Sequence, residues 1–234
     1  MNVAILSEGL SAGKVLLFNK PLYWTSFDLV NKVRHVIRHN LHLKNLKIGH
    51  AGTLDPLATG LMVLCTGKET RNIEKYQDQP KEYAARIKLG ATTSSFDLET
   101  EIDAHYPVAH IRKAEVEEIL KTFMGTQLQV PPSFSARMVS GRRAYTLARK
   151  GEKPELPPKE ITIYSIFMTT CELPDIEIQV VCSKGTYIRA LARDIGLRLG
   201  SGGYLTNLVR TAIGDFLLKD ALSVDDFERN LVFL

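Results

Sequence analysis

An alternating segment between residues 81 and 89 constrains the fold of this chain most. In KEYAARIKL, apolar or aromatic side chains recur at every second position, at Tyr83, Ala85, Ile87 and Leu89. The charged side chains of Arg86 and Lys88 stand between them. Because successive side chains of an extended chain point to opposite faces, the pattern predicts a strand that buries one face.

Further patterns predict more strands and several helices. Strands are expected at 13–20, 59–67, 161–170 and 176–183, and the last two read as a pair. Helices are expected at 25–40, 111–125 (closed by Gly125), 141–151 and 187–200. Pairs of neighbouring strands outnumber strand–helix–strand units. The sequence therefore predicts an α+β domain with a mixed, mostly antiparallel sheet flanked by helices.

Composition excludes several classes of protein. No run reaches the roughly 18 apolar residues of a membrane-spanning helix, and the first residues lack the features of a signal peptide. The 3 cysteines form no CxxC pair, which argues against a disulfide framework or a zinc site. We expect a cytoplasmic protein.

Basic side chains are concentrated in two stretches. One runs from residue 14 to residue 75 and also holds four of the 6 histidines, and the other runs from residue 137 to residue 160. Such stretches could form one face for a polyanion, or they could be ordinary solvated surface. Charge alone leaves both interpretations open.

The densest group of polar and turn-forming residues lies between positions 48 and 71. Glycines and Pro56 indicate irregular backbone, and His50, Thr53 and Asp55 lie within it, just before a predicted strand. A loop braced by a rigid element is a common place for catalytic groups. Asp-Pro also commonly starts turns, so Asp55 alone fits a structural or a catalytic role.

The string HAGTLDPLATG at 50–60 resembles the signature of the TruB family of tRNA pseudouridine synthases. Other segments are similar to the family's further motifs: Lys20-Pro21 with Thr25-Ser26, residues 81–83, residues 183–189 and residues 203–210. The resemblance runs from about residue 14 to residue 222. It implies the pseudouridine synthase fold, with one catalytic domain over 1–234 and an active-site cleft across the sheet. The chain ends too early for the PUA domain that relatives often carry.

The resemblance implies that Asp55 is the essential catalytic residue and that Arg189 pairs with it. The reaction breaks the N1–C1′ bond of a uridine and forms a C5–C1′ bond, for which a carboxylate can attack the sugar or stabilise its positive charge. No cofactor or metal is required. Tyr83 is expected to stack on the base or to help move a proton, and Tyr187 and Leu205 to line the pocket. On pattern alone a core position is favoured for Tyr83, and it is nearly as good an interpretation for Leu205.

The implied substrate is the uridine at nucleotide 55 in the T-loop of tRNA, which must be flipped out of its stack. His50 would brace the vacated space, and Asp97 matches a family aspartate near the substrate. Phosphate contacts are expected from Lys20 and from basic side chains of the segment 137–149, namely Arg137, Arg142 and Arg143. No obligatory protein partner is expected, and the protein should be a monomer.

The chain departs from the family pattern at three positions. Tyr23 and Thr100 stand where relatives usually have glycine, and Met138 stands where they have lysine. Three rival functions remain open: a tRNA-binding or tRNA-folding protein without catalysis, an RNA-guided relative, and a glycoside hydrolase using Asp55. Asp55→Asn separates the first from an enzyme. The short C-terminus argues against the second, and the lack of an obvious second carboxylate against the third.

Overall fold

A computed structural model describes residues 3–139, 141–152 and 154–232. Its contacts divide the chain into two compact units, each described here by itself. The first unit comprises residues 1–83 and 209–234, and the second comprises residues 84–208. The two boundaries fall inside strands. The single domain expected over the whole chain stays a prediction.

The first unit alternates strands with helices. Its helices are α1 (Val3–Ala12), α2 (Ser26–Leu41), α3 (Ile73–Asp78) and α7 (Val224–Val232). Its strands are β1 (Val15–Lys20), β2 (Ile48–His50), β3 (Ala58–Thr66) and β13 (Phe216–Leu217), with the start of β4 (Lys81–Leu89) and the end of β12 (Gly203–Ile213). Short 3₁₀ helices follow β3 at Gly67–Asn72 and β13 at Leu218–Asp220.

The core of the first unit forms on β3, whose residues are almost all buried. β1 runs antiparallel to it, with Val15 opposite Cys65 and Lys20 opposite Gly60. Helix α2 begins where the sequence predicts. The Thr25 side chain accepts from the backbone of Asp28, and the Asp28 carboxylate accepts from the backbone of Thr25, which satisfies two donors at the helix start.

The second unit has its own strands and helices. Its strands are the rest of β4, then β5 (Ala91–Thr93), β6 (Ile102–His105), β7 (Gly125–Gln129), β8 (Met138–Val139), β9 (Arg142–Arg143), β10 (Lys159–Glu172), β11 (Asp175–Cys182) and the start of β12. Its helices are α4 (Lys113–Lys121), α5 (Ala144–Ala148) and α6 (Ile188–Arg198). β10 pairs antiparallel with both β11 and β7.

The strands of the main sheet follow the order β1-β3-β12-β4-β11-β10-β7, with β2 on β3 and β13 on β12. β1 and β3, β10 and β11, and β7 and β10 all pair antiparallel, and one isolated parallel bridge joins Phe18 to Leu222. The predicted α+β fold with a mixed, mostly antiparallel sheet flanked by helices is therefore confirmed. The cleft across the sheet stays a prediction.

Two helix predictions are wrong in extent. α4 ends at Lys121, and Gly125, with φ +95°, begins β7 instead of closing the helix. Only Ala144–Ala148 of the basic segment is helical, because Arg142 and Arg143 pair in a short hairpin with Val139 and Met138. Among the residues that the structure describes, no helix is long and apolar enough to cross a membrane.

Candidate active site

The Asp55 turn, residues 52–57 of the first unit, links β2 to β3 and is held by side chains from distant parts of the sequence. Arg210 donates from Nη2 to the carbonyl of Gly52 at 3.1 Å and from Nη1 to that of Thr53 at 3.4 Å. Its Nε donates to the Leu61 carbonyl on β3 at 2.8 Å. The guanidinium therefore ties the start of the turn to the strand that follows it.

The rest of the turn is fixed residue by residue. The Ser26 hydroxyl donates to the carbonyl of Leu54 at 3.0 Å and accepts from the amide of Leu54 at 2.8 Å. The Asp55 carbonyl accepts from the amide of Ala58 at 3.0 Å, and the Pro56 carbonyl from the amide of Tyr23 at 2.8 Å. Every carbonyl from residue 52 to residue 56 is thus engaged, and the partly buried Asp55 side chain extends from a fixed backbone.

Lys20 lies next to this turn, and its surroundings differ from those that the sequence predicts. Its side chain is fully buried, and its ammonium donates to the carbonyls of Pro21 at 2.8 Å and Trp24 at 2.6 Å and makes a longer contact with Pro56 at 3.5 Å. A buried ammonium whose donors are satisfied by carbonyls has no access to a phosphate, so the expected phosphate contact is wrong. Burial lowers the pKa of Lys20 to about 8, although the Asp55 charge opposes that shift.

Tyr23 explains how the turn accommodates a family departure. Its φ is +67°, in the left-handed region that glycine adopts most easily, and its side chain is 74% exposed. The tyrosine therefore adopts a backbone conformation that favours glycine, the residue that the family pattern leads us to expect there. Its amide still reaches the carbonyl of Pro56, so the substitution leaves this contact intact.

His50 ends β2, just before the turn. Burial lowers its pKa, an effect that the backbone of Gly52 opposes and the Arg210 charge reinforces, so the ring is neutral at pH 7. Nδ1 is buried and makes no hydrogen bond to any described residue. A neutral, half-buried ring is compatible with the predicted role of bracing the space that the flipped base vacates. That role stays a prediction.

Tyr83 lies near the start of β4 with 8% of its surface exposed. The strand alternates as predicted, and Lys81, Tyr83, Ala85, Ile87 and Leu89 are its buried positions. The neighbouring Glu82 carboxylate accepts from the Thr211 hydroxyl at 3.0 Å, which fixes this end of β4. Tyr83 is thus a buried tyrosine on a rigid strand, and its part in catalysis stays a prediction.

The second unit contains the remaining predicted catalytic residue, Arg189, in the first turn of α6. Its side chain is 4% exposed. Nη1 donates to the carbonyl of Ser95 at 3.1 Å and Nη2 to that of Phe134 at 2.9 Å, while Nε lies 3.5 Å from the carboxylate of Asp97. Its predicted pairing with Asp55 joins residues of the two units and stays a prediction.

Asp97 belongs to a compact turn at 93–100. Its backbone carbonyl accepts from the hydroxyls of Thr93 and Ser95, at 2.7 and 3.2 Å, and its carboxylate accepts from the amide of Glu99 at 2.9 Å. Thr100, where relatives have glycine, accepts from the amide of Ser95 at 3.1 Å. Asp97 is 5% exposed and lies beside the guanidinium of Arg189, and its predicted contact with substrate stays a prediction.

The two predicted pocket walls are positioned by backbone contacts. Tyr187 precedes α6, and the buried side chain of Gln129 bonds both its amide, at 2.9 Å, and its carbonyl, at 3.1 Å. The amide of Leu205 donates to the carbonyl of Phe96 at 2.9 Å, and the Leu205 side chain is 5% exposed. Both residues are held in place, and their contact with substrate stays a prediction.

The basic hairpin β8–β9 presents Arg142 and Arg143 to solvent, as a phosphate contact requires. Arg143 also donates to the carbonyl of Ala136 at 2.6 Å. Arg137 is half-buried, and its Nη1 is buried without a described hydrogen-bond partner, so it is a weaker candidate than the other two. Met138, where relatives have lysine, is 57% exposed.

Two residues of the site escaped the sequence analysis. Arg210 and Gln129 are buried polar side chains whose partners lie 58 to 158 positions away. Arg210 falls within the 203–210 motif, but the pattern there points to Leu205. Buried polar residues that bond only to backbone leave no signal in hydrophobic periodicity. Within the described ranges, no group of three His, Cys, Asp or Glu side chains could hold a metal ion.

The fold defines the class of protein. A chain of a solved H/ACA ribonucleoprotein bound to a substrate RNA containing 2′-deoxyuridine has a TM-score of 0.71 at 24% identity, over 97% of this chain and 56% of that one. A chain of a Cbf5–Nop10–Gar1 complex gives 0.73 at 24% identity, over 100% and 57%. This chain thus spans little more than half of either neighbour. The shared fold is that of the pseudouridine synthases.

Sequence comparison narrows the class to a family. Residues 38–188 match the model described as TruB family pseudouridylate synthase (N terminal domain). A tRNA pseudouridine synthase B from Parabacteroides distasonis is 59% identical, covering 94% of this chain and 96% of the relative. Proteins of the same name are 50% identical in Flavobacterium johnsoniae and 47% in Chlorobium luteolum, covering 96% and 74% of those relatives. The chain belongs to the TruB family of pseudouridylate synthases.

Proposed function

We propose that this chain converts uridine to pseudouridine in tRNA, at nucleotide 55 of the T-loop, with Asp55 as the catalytic carboxylate. The observation that carries the proposal is the Asp55 turn, in which five consecutive carbonyls are fixed by hydrogen bonds. Groups already held in place need no reorganisation when charge develops in the transition state. The family membership and the names of the relatives supply the substrate.

The chemistry needs one well-placed carboxylate. The N1–C1′ bond of the uridine breaks, the freed uracil turns, C5 joins C1′ with loss of the C5 proton, and N1 takes up a proton, so that the product is an isomer of the substrate. Asp55 can attack C1′ or stabilise its positive charge, and both roles require the ionised form. We assign Arg189 to keep that charge in place and Tyr83 to contact the uracil ring.

The uridine has to leave the folded RNA before Asp55 can reach its sugar, at a cost of a few kcal/mol. The neutral ring of His50 suits the space that the base vacates, because it brings no charge to desolvate. Arg142 and Arg143, exposed on their hairpin, suit contacts with the RNA phosphates. The reaction as proposed needs no cofactor and no obligatory protein partner, and it takes place in the cytoplasm.

The proposal is tested with unmodified tRNA transcripts. Purified protein is incubated with a transcript tritiated at uridine C5, tritium release is followed, and pseudouridine is mapped chemically. We expect stoichiometric release with one modified site, at nucleotide 55. A transcript with cytidine at that position is the matched control and should release nothing. Absence of release from the first transcript, or modification at another site, would contradict the proposal.

A further inference from the structure

Arg210 is the largest of the fully buried side chains in the described part of the chain, with 1% of its surface exposed. No described carboxylate is paired with it. Its guanidinium is satisfied by the three carbonyls of Gly52, Thr53 and Leu61. Burying an arginine without an acidic partner is costly, and a substitution by an apolar residue would remove that cost. The presence of a charged side chain here therefore calls for an explanation beyond packing.

We propose that Arg210 is a positioning residue for Asp55, tying the start of the Asp55 turn to β3 so that the carboxylate keeps one orientation. The inference rests on the proposed function, because it takes Asp55 as the catalytic group. Gly52 and Thr53 precede Asp55 in the chain, and Leu61 follows it. A single rigid, planar group that bonds all three carbonyls sets the separation between the start of the turn and β3.

The shape of the guanidinium matters as much as its charge. Nε, Nη1 and Nη2 donate in fixed directions of one plane, and each reaches a different carbonyl. A lysine ammonium at the same place is a point charge on a flexible stem, and it cannot reproduce three directed bonds in that geometry. Arg210→Lys therefore keeps the positive charge and loses the three directed hydrogen bonds, so this variant tests the geometry separately from the charge.

The backbone of Arg210 packs closely against β3, the strand that follows the Asp55 turn. Gly60 has φ +105°, and a Cβ built there would lie 2.4 Å from the carbonyl oxygen and 2.6 Å from the amide nitrogen of Arg210. Only glycine allows this close approach. The side chain of Arg210 therefore reaches the turn from a backbone that lies directly against β3.

The charge of Arg210 lies close enough to Lys20 and His50 to affect their pKa values. It contributes to the lowered pKa of Lys20 and to that of His50, in both cases after the larger effect of burial. The charge of Asp55 acts on Lys20 in the opposite direction and raises its pKa. The buried cation of Arg210 thus lies close enough to the Asp55 turn to act electrostatically on two residues beside it.

The test compares Arg210→Lys and Arg210→Gln with Thr66→Val, each assayed for the single-turnover rate constant, the Kd for tRNA and thermal unfolding. Thr66 is the matched control. It is also fully buried in the first unit and donates to a backbone carbonyl, that of Leu10 at 2.8 Å, but it lies at the far end of β3. Its substitution should lower stability and leave the rate constant unchanged.

We expect Arg210→Lys to stay folded, to bind tRNA within about threefold of wild type and to lose on the order of 100-fold in rate constant, because a shift of about 1 Å in a reacting group has that effect. Arg210→Gln should lose at least as much. An Arg210→Lys variant as fast as wild type would overturn the inference. Failure of both Arg210 variants to fold would also overturn it, since it would assign Arg210 to the fold alone. An inactive wild type would instead reject the proposed function.

Discussion

The hydroxyl of Ser26 exchanges two hydrogen bonds with the backbone of Leu54, accepting at 2.8 Å and donating at 3.0 Å. The two residues are 28 positions apart, and both are buried. One hydroxyl at the start of α2 thus substitutes for a backbone partner of the residue that precedes Asp55. The contact connects a helix, which is rigid, to the turn that must be rigid for catalysis.

Ser26→Ala is expected to lower stability by about 1–3 kcal/mol, because it leaves a buried amide and a buried carbonyl without partners. It should also lower the single-turnover rate constant, since Leu54 is free to shift and Asp55 with it. Chemical denaturation and tritium release from tRNA measure the two effects.

The adjacent residue provides the control for Ser26. Thr25→Ala removes the cap of the same helix, at a cost of about 1 kcal/mol, without touching Leu54. It should leave the rate constant as in wild type. Equal losses of rate in the two variants would show that helix stability, and not the contact with Leu54, controls activity.

Lys20 gives the unfolding free energy a pH dependence. Its pKa is lowered to about 8 in the folded chain from an ordinary value of 10.5. Between these values the unfolded chain binds a proton that the folded chain lacks, so stability rises with pH across this window and is lost as pH falls through 8. Denaturation of wild type and Lys20→Met from pH 7 to 10.5 measures the effect. The free energy of unfolding of wild type should rise relative to that of Lys20→Met as pH increases from 8 to 10.5. If the two free energies change with pH in parallel, the lowered pKa of Lys20 is contradicted.

Asp97→Asn removes a charged partner of Arg189 while keeping the size of the side chain. The pair is buried, with 7% and 4% of the two side chains exposed, so we expect a loss of stability on the order of 3 kcal/mol. The more exposed pair between Arg86 and Asp175, with 46% and 24% of the two side chains exposed, is the comparison, and Asp175→Asn should cost less than about 1 kcal/mol. Chemical denaturation measures both variants. Equal losses in the free energy of unfolding would show that the buried pair of Asp97 and Arg189 stabilises the fold no more than the more exposed pair does.

Tyr23 offers a test of backbone strain. A non-glycine residue in the left-handed region costs roughly 1–2 kcal/mol, and the exposed ring of Tyr23 recovers little of it. Tyr23→Gly should therefore be more stable than Tyr23→Ala by about 1 kcal/mol, since only the glycine removes the strain. Thermal unfolding measures the stability of the two variants. A Tyr23→Ala variant more stable than Tyr23→Gly would contradict the strain at this position.

Much of the fold could be predicted because it depends on local patterns. The alternation at 81–89 gives β4 with its buried face, and the apolar run before Gly67 gives β3. The start of α2 follows from a capping residue that acts within three positions. Asp55 itself was found through the string around it, because its turn is built from a continuous segment of distinctive residues.

The support of the turn could not be predicted because it depends on contacts that form only after folding. Arg210 and Ser26 reach the turn from positions 158 and 28 residues away. The sequence predicts a phosphate contact for Lys20, since a lysine in a basic stretch is ordinarily exposed, whereas the fold buries it against carbonyls. Sequence patterns predict which face of a strand or helix is apolar. They do not predict which distant acceptor a buried hydrogen-bond donor contacts.

The carboxylate of Asp55 is the centre of this account, and Asp55→Asn tests it most directly. The amide keeps the size of the side chain and leaves every fixed carbonyl of the turn in place. We expect tRNA to bind within a few-fold of wild type while the single-turnover rate constant for pseudouridine formation falls by at least about 10³-fold, the scale on which a lost transition-state contact acts. An Asp55→Asn protein that forms pseudouridine at the wild-type rate would contradict the account.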